Sequence, residues 1–277
     1  MKNRSSAYAY PYVFWMILFI VVPLLLVAWY AFFDTSDGSI HFTTEYFVRF
    51  FTNPTYWQVL LRSLILALIS TVVCLLVGYP LAYILSRPGV KHKKMLLMLI
   101  MLPMWMSFLL RTYAWLTILE KNGIINQILT FFNLPEQNIL YTPTAVILGM
   151  VYNYLPFMII PIYNVLDRMD PRLVEAASDL GANKGRVFRK VIFPLSMPGV
   201  ISGITMTFMP SVTTFIISSL LGGGKTNVIG NVIEQQFKVS NDWNFGSAIS
   251  LVLIVIVLLS MKFMNTKDDD SIGGGLI

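Results

Sequence analysis

Between Tyr12 and Phe33 no side chain is ionised, and the same holds for about 63–85, 143–166 and 195–221. Two further runs, about 95–119 and 245–264, each admit a single cation, Arg111 and Lys262. A helix of ~20 apolar residues matches the ~30 Å hydrocarbon layer of a bilayer. Lipid offers peptide groups no hydrogen-bond partners, so a continuous apolar stretch satisfies them internally as a helix. The chain is thus constrained to an all-α integral membrane protein with six transmembrane helices. Composition agrees: 56% of residues are hydrophobic and 12% charged, where soluble domains carry about 25% charge. The net charge of +6 is too sparsely distributed for nucleic acid. Cys74 is the single cysteine and lies in an apolar run, and His41 and His92 are isolated, so no disulfide or metal centre is expected.

The first run follows Lys2 and Arg4, exceeds a signal-peptide core and lacks a small-x-small cleavage site, so it reads as an uncleaved span. Residues 34–61 form a partly interfacial external segment. Loops are expected at 86–94, which carries Arg87-Pro88-Gly89, at 120–142 and at 222–244. Residues 1–11 and a tail at 265–277, expected to be disordered, flank one membrane domain at 12–264. Six spans place both termini on one side. That side carries Lys2, Arg4, Arg87, Lys91, Lys93, Lys94, Arg168, Arg172, Lys184, Arg186, Arg189, Lys190, Lys262 and Lys267, fourteen cations of twenty. Only Arg49, Arg62, Lys121, Lys225 and Lys238 lie opposite. Basic loops stay cytoplasmic, so both termini and the loop at 167–194 are expected in the cytoplasm.

That loop is the longest polar interruption of the C-terminal half. Asp170-Pro171 reads as an N-cap with proline in the first helical position. Leu173, Ala176, Ala177 and Leu180 recur at helical spacing, and Gly181 stands where a left-handed residue would stop the helix. A second short helix fits Lys184 to Val191, with Val187, Phe188 and Val191 on one side and Arg186, Arg189 and Lys190 on the other; Pro194 is expected to end it. Small alanines anchor poorly in lipid, and Glu175 and Asp179 are repelled by anionic headgroups. A small-residue face rimmed by both charges suits a protein groove better.

Within the spans, Pro103, Pro156, Pro161 and Pro210 remove backbone hydrogen bonds. Neighbouring helices or a wet cavity must satisfy the freed groups, which suits a bundle that bends. Arg111 is the clear charge inside a span, at a cost of about 2.5–3.5 kcal/mol on insertion scales. It either lines a pathway or snorkels outward beside Tyr113 and Trp115. Aromatic and polar side chains gather near the helix breaks: Tyr152, Asn153, Tyr154 and Phe157, then Phe208, Thr213, Thr214 and Phe215. Most such rings serve packing, yet hydroxyl-bearing aromatic faces also receive cations. The stretch Gly222-Gly223-Gly224-Lys225-Thr226 mimics the end of a phosphate loop, but the first required glycine is Ser219 and no strand precedes it. No catalytic constellation appears in the sequence.

VEAASDLGA at 174–182, followed by Ile192 and Pro194, resembles the EAA loop of ABC importer permeases. LPMWMSFLLRTYAWL at 102–116, VYNYLPFMIIPIY at 151–163 and FMPSVTTFIISSLLGGG at 208–224 are similar to the spermidine/putrescine (PotB-type) branch. The resemblance implies a type I (MetI-like) permease fold whose cytoplasmic coupling helix docks into a separate ATPase. Glu175, Ala176, Ala177, Asp179, Leu180, Gly181, Arg186, Phe188 and Pro194 would carry that docking. It further implies a bacterial cell-membrane protein that is not itself an enzyme and has no cofactor. ATP and Mg would be bound by two ATPase copies, beside a second, PotC-like permease and an extracytoplasmic polyamine-binding protein. A permease for another small solute, such as iron(III) or another organic cation, shares much of this pattern. A secondary transporter would want inverted repeats and intramembrane charges, which are not seen.

Overall fold

The structure is a computed structural model that describes residues 10–34, 40–87 and 89–273, with side chains over 11–34, 40–87 and 89–262. Residues 1–9 of the expected cytoplasmic N-terminus and 274–277 of the expected tail lie outside the described residues. Helix α1 (Tyr10–Met16) passes through a π-helical turn, Ile17–Val21, into α2 (Val22–Phe32). Strands β1 (Phe33–Asp34) and β2 (His41–Phe42) pair antiparallel, Phe33 facing Phe42. Then follow α3 (Glu45–Thr52), α4 (Pro54–Ser86), α5 (Lys93–Trp105), α6 (Phe108–Leu119), α7 (Ile124–Phe131) and α8 (Pro143–Asp167). The C-terminal half holds α9 (Pro171–Asp179), α10 (Lys184–Val187), a second π turn (Phe188–Ile192) and α11 (Phe193–Thr213). Helices α12 (Ile216–Gly222), α13 (Ile229–Lys238) and α14 (Trp243–Gly273) complete the chain.

Among the described residues five helical stretches, Pro11–Phe32, Pro54–Ser86, Pro143–Asp167, Lys184–Thr213 and Trp243–Lys262, are long and apolar enough to cross a membrane. The third expected span is not one helix. It is the pair Lys93–Trp105 and Phe108–Phe131, bent by 92°. Pro103 stays inside α5, and the break comes later, where Met106 adopts extended backbone and Ser107 stands as the N-cap of a new helix. The pair still runs the length of α8. Lys93 at its start is 3.1 Å from Asp167 at the end of α8, and Leu119 shares a buried cluster with Ala145 and Val146 at the beginning.

Two boundaries change for one physical reason. Pro194 does not end the helix that begins at Lys184, which runs on into α11 as a single stretch, Lys184–Thr213. Proline lacks an N–H and its ring crowds the carbonyl four residues back. The turn before it widens instead: the Phe193 N–H bonds Phe188 O across five residues. Pro23 follows the first π turn in the same way, with the Val22 N–H bonded to Ile17 O. The fifth span ends at Thr213, because Thr214 is extended and α12 is a separate helix. At the C-terminus α14 passes Met264 and keeps a helical backbone to Gly273, since no proline or glycine intervenes.

The chain divides into two compact units. The first takes residues up to Gln58 together with Val232–Leu259. Phe50 and Phe245 are fully buried in it, and Arg49 lies over the Phe245 ring at 4.1 Å while reaching Asp242 at 3.0 Å. Asp242 also accepts from the Phe245 N–H and so caps α14. The Tyr46 hydroxyl donates to Asp34 Oδ2 at 2.9 Å. Burial first, then that bond and the charges of Asp34, Asp242 and Glu45, push the phenol up to about 12.

The second unit is built on α8. Met158, Ile159 and Ile162 form one buried cluster with Cys74, Tyr79, Ala82 and Leu85 of α4. Near the other end of α8, Val146 and Met150 pack with Ile217 and Leu221 of α12. Helix α11 approaches α8 through glycines: a Cβ on Gly199 would meet Pro161 O at 2.9 Å, and one on Gly203 would meet Met158 O at 3.0 Å. Small residues four apart let membrane helices touch backbone to backbone. The glycine-rich stretch after α12 has a packing cause. Gly223 has φ +55, and a Cβ there would fall 2.2 Å from the Tyr141 ring.

Candidate functional site

The first candidate is the segment 170–194, and its shape follows from its capping. The Asp170 side chain accepts from the Arg172 N–H at 3.0 Å and Pro171 opens α9, as the sequence indicates. At the other end Ala182 N–H donates to Ala177 O and Gly181 N–H to Ser178 O, at 3.1 and 2.9 Å, with Gly181 at φ +78. These two bonds are the Schellman closure, which needs a left-handed residue at the glycine. The Asn183 side chain then caps α10 by accepting from the Arg186 N–H at 2.9 Å.

The two faces of this elbow differ. Val174, Ala177 and Ala182 pack inward against the α4–α8 cluster, and Val187 and Ile192 are buried. The half-buried Phe188 ring sits edge-on to Tyr79 and Tyr83, 5.9 and 5.4 Å between centroids. Leu173, Glu175, Ala176, Asp179, Leu180 and Gly181 are exposed, as are Arg186, Arg189, Lys190 and Pro194. Leu180 is 88% exposed, an apolar side chain presented outward from a rigid turn. The expected apolar row is therefore split: Ala177 belongs to the inner face, and Leu173, Ala176 and Leu180 to the outer one. The Tyr79 hydroxyl is 2.9 Å from Ser196 Oγ, which ties α4 to the start of α11 directly behind the elbow. Sequence reading missed this pair; a hydroxyl-bearing Tyr beside Pro80 within an apolar run was the available signal.

The pathway candidates do not form one cluster. Arg111 is buried, 8% exposed. The Tyr154 hydroxyl reaches Pro210 O at 3.3 Å, and Thr214 is buried. Trp115 and Tyr152 stack edge-on at 5.4 Å, and Phe157 packs near Tyr154 at 6.4 Å. Asn153 Nδ2 donates to Gly149 O, leaving its buried Oδ1 without a partner. Thr213 is exposed and its hydroxyl turns back to Met209 O, while Phe208 and Phe215 are half-buried and Tyr113 is 53% exposed. The residue that organises this end is one the sequence did not single out. Asn231 accepts from the Val228 N–H and the Ser218 hydroxyl, and donates to Phe215 O and Ser219 Oγ. Ser63 adds a bond from the Ile229 N–H at 2.7 Å. Together these fix the chain on both sides of the glycine loop.

Residues 2–266 match the family of binding-protein-dependent transport system inner membrane components. The chain belongs to that family. Its relatives include the spermidine/putrescine transport system permease protein PotB of Haemophilus influenzae, 42% identical over 88% of this chain and 87% of the relative. PotB of Escherichia coli K12 is 39% identical over 89% of this chain and 91% of its own length. Among solved structures, a bacterial ABC transporter involved in import of the acidic polysaccharide alginate superposes with TM-score 0.81 at 18% identity, over 98% of this chain and 96% of that one. The methionine transporter MetNI in inward-facing form gives 0.56 at 17% identity, covering 79% and 96%. These structures place the inner membrane component in the MetI-like permease fold.

Proposed function

We propose that this chain is one of two permease subunits of an ATP-driven polyamine importer, forming half of the route for spermidine or putrescine. The observation that carries the substrate class is the similarity to PotB permeases, 38–42% identity, which in one case extends over 98% of this chain. In this reading an extracytoplasmic binding protein delivers the solute, and two copies of a separate ATPase supply the work. The exposed face of Leu173, Glu175, Ala176, Asp179 and Leu180, closed by Gly181 and flanked by Arg186, docks into that ATPase. Phe188, Val187 and the continuous stretch Lys184–Thr213 pass the movement to α8 and α4.

The bent pair α5–α6 counts as one broken span in this reading, giving six, with both termini cytoplasmic in a bacterial cell membrane. Two contacts support the shared sidedness of the basic loops. Lys93 pairs with Asp167, and Tyr83, one turn before the 86–94 loop, packs on Phe188. The aromatic and amide groups Trp115, Tyr152, Asn153, Tyr154, Phe157, Phe208, Thr213, Thr214 and Phe215 offer the solute faces and dipoles. The apolar runs hold no carboxylate, so the acidic groups an ammonium needs come from the second permease.

The test is reconstitution of the whole complex in lipid with its binding protein. Spermidine or putrescine should stimulate ATP turnover, and neither sulfate nor iron(III) should. Stimulation by another solute alone would reassign the substrate, and transport by the purified chain without ATPase would overturn the reading altogether.

A further inference from the structure

The first turn of α6 collects positive potential and holds nothing to balance it. Ser107 stands at its N-cap but makes no side-chain capping bond, so the leading N–H groups of the helix are not capped by it. The amino end of a helix carries roughly half a positive charge. Four residues on, Arg111 adds a full one. Its guanidinium carbon leans back to 5.8 Å from the Phe108 ring, over the same turn. Nε and Nη1 are both buried with no hydrogen-bond acceptor among the described residues. A guanidinium carries five N–H donors and no acceptor, so it cannot satisfy itself. An uncompensated charge of this kind is among the most unfavourable arrangements in a protein interior.

The neighbours do not relieve it. The Thr112 hydroxyl is turned to Phe108 O, and the Tyr154 hydroxyl to Pro210 O. The apolar runs of this chain supply no Asp or Glu. The geometry points to a carboxylate from outside the chain, and we propose that an acidic side chain of the second permease subunit docks on the first turn of α6 and pairs with Arg111. The proposal rests on the importer reading in one respect: a polyamine is itself a cation and cannot be the missing acceptor. It also gives Arg111 a task in the cycle. Ammonium groups of the solute compete with the guanidinium for the same carboxylate, so arrival of the solute loosens the contact between the two permeases at this point.

A charge exchange in the full complex tests this. Arg111→Glu should lower recovery of the second permease with this chain about a hundredfold or more, the scale of orphaning one partner of a buried pair. Reversing one intramembrane Asp or Glu of the second permease to Arg should restore it. Rescue by none of them would overturn the proposal, as would an isolated wild-type chain that chloride or phosphate alone stabilises as much as the second permease does, which would mark an adventitious anion site. Because Arg111→Glu risks misfolding, Arg111→Met provides a second reading. It should raise the unfolding midpoint of the isolated full chain, by removing an unpaired charge, and lower that of the complex. A lower midpoint in the isolated chain would mean that the acceptor is internal, with Asn153 Oδ1 the available one, and would also overturn it. These readouts are assembly and stability, so they stand or fall separately from which solute stimulates ATP turnover.

Discussion

Gly181 is where shape and surface charge of the elbow separate most cleanly. Its φ of +78 closes α9, and a Cβ added there meets nothing within 4 Å. A side chain at this position therefore costs no steric clash with the rest of the chain. What it costs is the left-handed backbone, about 1–2 kcal/mol for an ordinary L-residue and less for Asn or Asp, which adopt that region several-fold more readily. A cost of 1–2 kcal/mol shifts the closed turn against its open form by about 5–30-fold. Gly181→Ala should then weaken coupling partially. Gly181→Asn and Gly181→Asp impose nearly the same backbone and differ by one charge on the exposed docking face. We expect Asn to retain most of the ATP turnover stimulated by the loaded binding protein, and Asp to abolish it along with ATPase co-purification, while both insert normally. Equal loss in Asn and Asp would refute the reasoning, because bulk and not charge would then be decisive. Normal turnover in Asp would remove the docking face from this turn.

Three further outcomes follow from the packing. Gly199→Ala should destabilise the chain by about 1–3 kcal/mol, the range for overpacking, because its Cβ meets the α8 backbone at Pro161 O and Ile162 Cα. Gly149→Ala meets only the side-chain tips of Leu221 and Ile217 and should cost less, as thermal unfolding in detergent will show. Asn231→Ala leaves the Val228 N–H without its side-chain acceptor, while Phe215 O keeps the Ser219 N–H, and at about 1–3 kcal/mol for the orphaned group it should lower the unfolding midpoint clearly. For Tyr46, the folded phenol sits at about 12, above its usual 10.0, so the neutral form is favoured on folding. Its contribution is complete below pH 10 and is lost as pH rises through 12, so the unfolding midpoint should fall over that window more in wild type than in Tyr46→Phe.

The parts legible in the sequence are those set by local chemistry. Asp170-Pro171 and Gly181 announce the ends of α9 because a cap and a left-handed residue are recognisable one at a time. The apolar runs announce the spans because hydrocarbon thickness sets their length. Breaks were harder to place. Pro103 and Pro210 mark where a backbone bond is missing, but the chain bends several residues later, at Met106–Ser107 and at Thr214, once the helix has used its remaining carbonyls. Pro194 showed the opposite response, a widened turn that keeps the helix going. The inner and outer faces of the elbow were also hidden, since Ala176 and Ala177 are identical in composition and only tertiary packing turns one of them inward. Asn231 gave no warning because its four bonds go to residues 215–228, brought together by the fold of the glycine loop.

The account depends most on the elbow at Glu175–Gly181 gripping a separate ATPase in the cytoplasm, and Leu180 is the residue to question. With the buried Cys74 replaced by alanine, Leu180→Cys introduces one thiol on a side chain that is 88% exposed. In the assembled complex, a short bifunctional reagent should join it to the ATPase subunit, and an impermeant thiol reagent should reach it only from the cytoplasmic face. Labelling from the outer face, or an intact complex in which this thiol never joins the ATPase, would contradict the account.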